Sequence, residues 1–318
     1  MRVLIELPTW LGDCVMASAA VENLARNHPH VKIVFFGAEA GARLFAAHPN
    51  CEKILVDNSK KSRFRLLWLA LEARKLGRFD AAVSFRSHFA TLVFLAATKA
   101  RIKAAFPRGR YLGHQVRKYL DFITDALSLK PKNAEQKLYL QGGGEDIFKF
   151  ESGKKVLGLN PGASYGSAKR WYPQYFAQIG AALEGTHEIV IFGGRSESDI
   201  CEQIERELGA RGVRALNLCG KTSIEELAKA ISNLDLFVTN DSGPMHIAAA
   251  FGVPLVALFG PTRADETSPY HAPRSLIARL DLPCMPCMKR ACPLGTHDCM
   301  KNLKPEFVLK EMKKAGLV

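Results

Sequence analysis

Short, almost wholly apolar runs alternate with amphipathic stretches along the first half of the chain. The apolar runs predict buried β-strands, and the stretches between them, around residues 14–27, 39–47 and 63–77, predict helices. Alternation of this kind is typical of an α/β fold with a doubly wound parallel sheet, covered by helices on both faces. The predicted strands are Val3–Pro8, Val31–Gly37, Lys53–Asp57 and Ala81–Phe85.

The alternation stops around residues 130–155 and then resumes. Pro131, the run Gly142–Gly144 and the mixed-charge stretch Glu145–Lys155 indicate a connection between two domains, with Gly142–Gly144 as a hinge. We therefore predict an N-terminal domain over 1–150 and a C-terminal domain over 151–318. The second domain has predicted helices at 173–183, 196–209, 223–232, 244–251 and 305–315. Its predicted strands are Val156–Leu159, Glu188–Phe192, Leu216–Leu218, Leu236–Thr239 and Leu255–Phe259.

The composition is that of an ordinary soluble protein, with 47% hydrophobic and 24% charged residues among 318. It excludes a long disordered chain, and 25 Gly and 16 Pro without a repeat exclude collagen. The net charge of +13 favours an anionic partner, which could be nucleic acid, an anionic membrane or a phosphorylated ligand. The N-terminus does not resemble a signal peptide, and no apolar run suits a membrane span, so a cytosolic protein is expected.

Two sequence motifs follow predicted strands, where ligands bind in sheets of this kind. The first, residues 7–13, ends in Asp13, which could cap the next helix or act as a general base. The second, residues 160–171, combines small residues such as Ser164 with the cations Lys169 and Arg170. Small residues let backbone amides approach an anion, so this motif predicts a phosphate site rather than a plain glycine-rich turn.

A third motif, residues 239–246, follows a strand and opens an apolar helix. Asp241 or Ser242 could simply cap this helix. Exposed backbone N–H groups at Ser242 and Gly243, with His246 nearby, would instead form a cradle for a pyrophosphate. Because the second motif lies in the same predicted domain, we favour the ligand site.

Four cysteines occur within sixteen residues near the C-terminus: Cys284, Cys287, Cys292 and Cys299. In a cytosolic chain such a cluster indicates a structural zinc or iron site more readily than disulfides, with reduced thiols in a compact loop as the alternative. Two basic groups, over residues 60–78 and 99–118, could be solvated faces or could meet an anionic membrane or a phosphorylated acceptor.

Taken together, the three motifs resemble the bacterial ADP-heptose:lipopolysaccharide heptosyltransferases of glycosyltransferase family 9, and most closely their heptosyltransferase II branch. The resemblance carried by residues 8–13, 161–171 and 240–246 spans almost the whole chain. It implies a GT-B fold, with two Rossmann-like domains facing a central cleft. The acceptor would bind to the N-terminal domain and ADP-heptose to the C-terminal one. The final helix, 305–315, could pack back on the N-terminal domain.

The resemblance also implies an inverting, metal-independent transfer of heptose to the inner-core heptose of lipopolysaccharide. Asp13 would be the general base and Lys169 would stabilise the leaving phosphate. The ADP-heptose site would also use Ser164, Ser242 and Gly243, with Asp241 on the sugar and His246 close by. By resemblance, Glu197 would bind the ribose and Thr222 would lie near the adenine. The partners implied are ADP-heptose, heptosyl-Kdo2-lipid A and the inner face of the cytoplasmic membrane, and not nucleic acid.

Three other functions remain open at this stage. A heptosyltransferase I or III would differ only in its acceptor, and a sugar-nucleotide epimerase would share the fold. A nucleic-acid-binding protein would account for the charge and the cysteines, but stacking aromatics and groove-reading helices are not evident in the sequence.

Overall fold

The computed structural model describes residues 1–131, 137–142, 147–148, 150 and 152–318. The chain divides into two compact units, Met1–Gln141 and Gly142–Val318. Of the predicted hinge, Gly143 and Gly144 lie outside the described residues.

The first unit contains a five-stranded, wholly parallel sheet in the order β3-β2-β1-β4-β5. Strands β1 and β4 are neighbours although they are not consecutive, so the direction of winding reverses between them. Its strands are β1 (Arg2–Glu6), β2 (Lys32–Gly37), β3 (Cys51–Val56), β4 (Arg78–Ser84) and β5 (Lys99–Ala105). Its helices are α1 (Leu11–Asn27), α2 (Glu39–Arg43), α3 (Arg65–Lys75), α4 (Phe89–Ala97) and α5 (Gln115–Leu127).

The structure contains the four strands predicted in this unit and adds β5, which the hydrophobic pattern did not indicate. Three cations of the second basic group, Lys99, Arg101 and Lys103, lie on β5 and are exposed. Since β5 is an edge strand, charged side chains there keep other chains from pairing with it. The same cations obscure the apolar run by which a strand is recognised in a sequence.

The second unit is built around a six-stranded parallel sheet in the order β11-β10-β9-β6-β7-β8. Here the winding reverses between β6 and β9. Its strands are β6 (Lys155–Asn160), β7 (His187–Ile191), β8 (Ala215–Asn217), β9 (Leu236–Asn240), β10 (Leu255–Leu258) and β11 (Ser275–Ala278). Its helices are α6 (Pro173–Leu183), α7 (Ser198–Gly209), α8 (Ile224–Ser232), α9 (Gly243–Phe251), α10 (Ala264–Thr267), α11 (Asp298–Lys301) and α12 (Pro305–Lys314).

Local sequence signals explain where several of these helices begin and end. Proline lies in the first turn of α6, α9 and α12, where its missing N–H costs nothing. Helix α8 starts with a capping box, in which Ser223 Oγ accepts from the Glu226 N–H at 3.1 Å and Glu226 accepts from the Ser223 N–H at 2.6 Å. Helix α9 ends at Gly252, whose φ of +70° suits glycine.

The second unit has a continuous apolar core on one side of its sheet. Leu157 and Leu159 of β6 pack there with Trp171, and α12 adds Val308 and Met312 to the same cluster. The final helix thus buries its apolar face in the second unit, against α6 and β11. No helix among the described residues combines the length and the apolar character needed to cross a membrane.

Gly158, in the middle of β6, provides a test of this packing. A Cβ at this position would lie 2.5 Å from Leu234 Cδ1 and 2.7 Å from a ring carbon of Phe237. We expect Gly158→Ala to lower the free energy of unfolding by about 1 to 3 kcal/mol, because the surrounding side chains are forced apart. Thermal unfolding followed by circular dichroism measures this effect.

Gly185→Ala is the matched control, since a Cβ at Gly185 meets no atom within 4 Å. That variant should stay within about 0.5 kcal/mol of the parent protein. Equal stability of the two variants would contradict the close packing around β6.

Candidate active site

The reversal of winding in the second unit brings two of the predicted motifs together. In open parallel sheets, ligands bind beyond the carboxyl ends of the strands at the point where the strand order reverses. The second motif follows β6 and the third follows β9, and these two strands are hydrogen-bonded neighbours. The loops that carry Lys169 and Asp241 therefore leave the sheet side by side.

Two buried asparagines at the strand ends brace these loops. The Asn160 side-chain amide donates to Thr239 Oγ1 at 3.0 Å and to Ser242 Oγ at 3.1 Å. The Asn240 amide donates to the Pro161 carbonyl at 2.7 Å, and Asn240 Oδ1 accepts from the backbone N–H of Trp171 at 3.1 Å. Because both amides are almost fully buried and bonded, they fix the relative position of the two loops.

Lys169 and Asp241 form an ion pair across the gap between these loops. The Lys169 Nζ lies 2.5 Å from Asp241 Oδ2, and the side chains are 13% and 5% exposed. Thr262, which follows β10, donates its hydroxyl to the same carboxylate oxygen at 2.6 Å. Lys169 also lies over the Tyr165 ring, 5.0 Å from its centroid. The ammonium is thus positioned at the carboxyl edge of the sheet by contacts on several sides.

Helix α9 begins at Gly243, directly beside this ion pair. Ser242 occupies the N-cap position, but its side chain makes no capping hydrogen bond, so capping is not its role here. The first backbone N–H groups of a helix lack intrahelical partners and carry a partial positive charge, which suits an anion. His246 is buried within the same helix, and Ser164 is exposed on the loop after β6.

Glu197 and Thr222 lie farther along the same edge of the sheet. Glu197 follows β7 and is 8% exposed, and its carboxylate accepts from the Gly194 N–H at 2.8 Å. It also abuts Gly162 of the second motif, where an added Cβ would collide with the carboxylate. Thr222 follows β8 and precedes α8. The predicted phosphate, ribose and adenine residues therefore follow adjacent strands in the order in which those groups occur in a nucleotide.

The cysteine-rich loop, residues 284–299, packs against the loop that carries Lys169. The Ala168 N–H donates to the Arg290 carbonyl at 3.0 Å, and the Ala168 carbonyl lies 2.9 Å from His297 Nε2. The Tyr165 hydroxyl donates to the Met288 carbonyl at 2.8 Å. Gly166 lies so close to the Arg290 carbonyl that a side chain would not fit. The cysteine-rich loop thus fixes the backbone on both sides of Ser167.

The four clustered cysteines line one small cavity, together with Met285, Pro261 and His297. The His297 N–H donates to Cys292 Sγ at 3.3 Å and lowers the pKa of that thiol. Burial, reinforced by the neighbouring thiols, raises the pKa of Cys299 to about 11. However, no three His, Cys, Asp or Glu side chains within the described part of the chain are arranged so that they could hold a metal ion. A metal at this cluster stays a prediction.

Asp13 lies in the first unit, at the end of the sheet where β1 stops. It is the third residue of α1 and not its N-cap, which is Trp10. The Tyr119 hydroxyl of α5 donates to Asp13 Oδ1 at 3.2 Å. Burial, together with the Asp13 charge, raises the pKa of Tyr119 well above its usual value. Tyr119 therefore stays protonated and orients the carboxylate.

A buried charge cluster supports the same end of the β1 strand. Arg86 donates from Nε to the Leu7 carbonyl at 2.7 Å, and its Nη1 lies 3.3 Å from both Glu6 Oε1 and Asp57 Oδ2. The Leu7 carbonyl immediately precedes the loop that leads to Asp13. Arg86 thus links the ends of β1, β3 and β4 beneath that loop.

The sequence analysis did not identify Tyr119, Arg86 or Thr262. Thr262 follows β10 at the edge where ligands bind, so its position after a strand could have indicated it. Tyr119 is separated from Asp13 by 106 residues and Arg86 lies 80 residues from Glu6. Nothing in the local sequence points to those partners.

Several known proteins are similar to this chain in sequence and in fold. Residues 77–297 match the sequence profile of glycosyltransferase family 9 (heptosyltransferase). The lipooligosaccharide heptosyltransferase 2 of Campylobacter jejuni serotype O:6 is 42% identical over 317 residues, which cover 99% of each chain. A glycosyltransferase family 9 structure from Veillonella parvula superposes with a TM-score of 0.81 at 22% identity, covering 99% of this chain and 96% of that chain.

The Escherichia coli ADP-heptose lipopolysaccharide heptosyltransferase II is also similar in structure. It has a TM-score of 0.78 at 23% identity and covers 99% of this chain and 98% of that chain. These two likenesses confirm the predicted α/β fold class, with two Rossmann-like domains of GT-B type.

The ion pair between Lys169 and Asp241 predicts a specific pattern of stabilities. Asp241→Asn removes the charge opposite a largely buried ammonium, so we expect the free energy of unfolding to fall by about 2 kcal/mol. The double variant Asp241→Asn with Lys169→Met should recover part of this loss, because no buried charge is then unpaired. Urea unfolding in a Trp10→Phe/Trp68→Phe background, in which Trp171 of the second unit is the remaining tryptophan, measures both changes by fluorescence. Strictly additive effects of the two substitutions would contradict the pairing.

Proposed function

We propose that this chain, which belongs to glycosyltransferase family 9, transfers L-glycero-D-manno-heptose from ADP-heptose to the inner-core heptose of lipopolysaccharide. This is the reaction of a heptosyltransferase II, and its acceptor would be heptosyl-Kdo2-lipid A. The observation that carries the proposal is the carboxyl edge of the second sheet. There a helix N-terminus and a positioned ammonium adjoin Glu197 and Thr222, which follow the next two strands of the sheet. The similarity to the Campylobacter jejuni heptosyltransferase 2 supports the choice of acceptor.

The donor would bind along the loops that follow β9, β6, β7 and β8. Its diphosphate lies against the N-terminus of α9, where the backbone N–H groups of Ser242 and Gly243 face it. Glu197 would accept hydrogen bonds from the ribose hydroxyls, and Thr222 would contact the adenine side. Ser164, Asp241 and His246 complete the pocket for ADP-heptose.

Lys169 would stabilise the charge that develops on the leaving ADP. An ammonium has three N–H donors, and two of them are directed at Asp241, one at Oδ2 and one at its backbone carbonyl at 3.3 Å. The third can point at a phosphate oxygen without breaking those bonds. A fixed cation of this kind acts in the transition state without reorganisation, as a divalent ion does in other transferases. The sequence contains no Asp-x-Asp pair of the type that holds such an ion.

Asp13 would remove the proton from the attacking hydroxyl of the acceptor. The acceptor oxygen then bonds to the anomeric carbon while the bond from that carbon to the phosphate oxygen breaks. The electron pair leaves with ADP, and the proton remains on Asp13. Attack from the face opposite the leaving group inverts the configuration and gives an α linkage from a β-configured donor. Tyr119 holds the carboxylate in place for this step.

The protein would work in the cytoplasm, in peripheral contact with the inner face of the cytoplasmic membrane, where a lipid-linked acceptor is accessible. A heptosyltransferase I or III reaction would use the same residues on a different acceptor and is distinguished by the acceptor alone. An epimerase or a nucleic-acid-binding role has no comparable support, since the family match and the site geometry both favour sugar transfer.

The decisive experiment follows ADP release from ADP-heptose with and without heptosyl-Kdo2-lipid A, in the presence of EDTA throughout. Release that depends on this acceptor and tolerates EDTA supports the proposal. If ADP release depends instead on the acceptor of the first or the third heptose step, and heptosyl-Kdo2-lipid A is inactive, the chain catalyses that other step. Conversion of the donor to an epimer without an acceptor would overturn transfer altogether.

Asp13→Asn should lower kcat by a factor of about 100 to 10,000, because general-base catalysis typically contributes that much. ADP should bind as before, since Asp13 is not part of the predicted donor site. Single-turnover kinetics and isothermal titration with ADP separate the two quantities. Loss of ADP binding, or turnover within a few fold of the parent, would contradict the assignment of Asp13.

Zinc or iron at the cysteine cluster would have a structural role. To bind the ion, the four cysteine thiols would have to move closer together than they are in this structure. Elemental analysis of the purified chain should then find about one metal ion for each chain. The variant Cys284→Ser/Cys287→Ser should lose that metal, while Cys51→Ser, outside the cluster, should retain it. Metal-free protein with full activity would overturn the prediction.

A further inference from the structure

The surplus positive charge of this protein is confined to one segment of the first unit. Residues 58–120 contain 15 of the 44 Lys and Arg but only two of the 31 Asp and Glu, which leaves 29 of each in the remainder of the chain. The net charge of +13 therefore equals the surplus within this segment. Of its 15 cations only Arg86 is buried, and that residue is compensated by Glu6 and Asp57.

The same segment also exposes an unusual amount of apolar surface. Eight of the 17 large hydrophobic side chains that are exposed among the described residues belong to it. On α3, Leu67 and Leu71 are 58% and 46% exposed, although Leu69 and Ala73 on the opposite side of this helix are buried. On α4, Phe89 and Leu92 are 69% and 53% exposed. Exposed apolar residues that cluster in this way mark an interaction site more often than isolated ones do.

Helices α3 and α4 lie next to each other on one face of the sheet. They connect β3 to β4 and β4 to β5, two crossovers that advance in the same direction, and right-handed crossovers place both helices on the same side. The two helices pack together, and Leu69, Ala73, Phe94 and Leu95 share one core cluster. The short helical turn Ser59–Lys61 packs beside α3. The outward side chains within residues 60–75 and 89–96 therefore form one continuous surface, here called the α3–α4 surface.

The cations on this surface are available to an external anion. Lys60, Lys61 and Arg74 are exposed, and none of them contacts a carboxylate in the described part of the chain. Lys75 is the exception, at 2.7 Å from Glu72. Between Asp80 and Asp121 the sequence has no acidic residue at all. The cations therefore attract anionic partners to this side of the first unit, and few acidic side chains are nearby to repel them.

Cations interleaved with exposed leucine and phenylalanine side chains are what an anionic lipid surface requires. Lys and Arg lie at the level of the headgroups, while the apolar side chains enter the boundary with the acyl chains. A nucleic-acid site would use the same cations but would leave Leu67 and Leu71 without a partner.

We infer that the α3–α4 surface docks the protein on a bilayer that contains anionic phospholipids. The inference rests on the proposed function, since a lipid-linked acceptor has to be reached at a membrane. It assigns that contact to specific residues: Lys60, Lys61, Arg74, Leu67, Leu71, Phe89 and Leu92.

Vesicle co-sedimentation of the full chain tests this inference. Vesicles of phosphatidylcholine alone are compared with vesicles in which about one third of the lipid is phosphatidylglycerol, a mixture with the negative surface potential that polybasic surfaces bind. We expect binding to the anionic vesicles only, weakened at high salt because the ionic contribution is screened. No binding to the anionic vesicles would overturn the inference.

Two variants of the surface and two matched controls make the test specific. Leu67→Gln/Leu71→Gln and Lys60→Glu/Lys61→Glu/Arg74→Glu should each weaken vesicle binding by at least about tenfold, the change that corresponds to 1.4 kcal/mol. The controls alter exposed residues of the second unit: Leu216→Gln/Phe307→Gln and Lys301→Glu/Lys310→Glu/Lys313→Glu. They should bind as the parent does. Equal losses in surface variants and controls, or no loss in the surface variants, would overturn the assignment.

Turnover with a deacylated, water-soluble acceptor separates this inference from the proposed function. The surface variants should retain parental kcat with that acceptor, which also shows that they are folded. If the parent binds anionic vesicles but transfers heptose to no acceptor, the proposed function fails while the docking surface stands. If a labelled oligonucleotide binds to the parent and the vesicles do not, the surface serves nucleic acid and the inference is wrong.

Discussion

The contact between Lys169 and Asp241 is the interaction around which the second unit is arranged. It joins the loops after β6 and β9, the two strands between which the winding of the sheet reverses. A buried ion pair alone gives little net stability, because both charges lose their hydration. Its value here is positional, since it fixes a cation beside the N-terminus of α9. The Asn160 and Asn240 amides are what allow the two loops to meet at this distance.

Support for the ion pair comes from parts of the chain that are far away in sequence. Thr262 binds the Asp241 carboxylate from the loop after β10. On the other side, Arg290 and His297 hold the backbone of Ala168 from within the cysteine-rich loop. The cysteine-rich loop therefore has a structural role whether its thiols bind a metal or remain free. Within it, the His297 backbone N–H donates to Cys292 Sγ while the His297 ring contacts the Ala168 carbonyl.

Much of the fold and the placement of the candidate site could be predicted from the sequence, and the reason is physical. Strands that carry a continuous apolar run are recognisable, and nine strands of the two sheets were recognised, among them the edge strands β3 and β8. The edge strands β5 and β11 were not, because cations interrupt β5 and β11 has only four residues. Asp13, Lys169 and Asp241 were found because they follow strands. Their partners Tyr119 and Thr262 come from other elements, and only the folded chain brings them close.

Charge is divided between the two units in a way that fits the different tasks proposed for them. Met1–Gln141 contains 23 Lys and Arg against 11 Asp and Glu, whereas Gly142–Val318 contains 21 against 20. In the proposed function the second unit binds a nucleotide through one ammonium and a helix N-terminus, which needs no general surplus of charge, because short-range hydrogen bonds provide the selectivity. A broad excess of cations acts over about a Debye length and has little geometric selectivity, which suits an extended anionic surface. Under the two proposals made above, the distribution of charge would therefore separate recognition of the donor from attachment to the membrane.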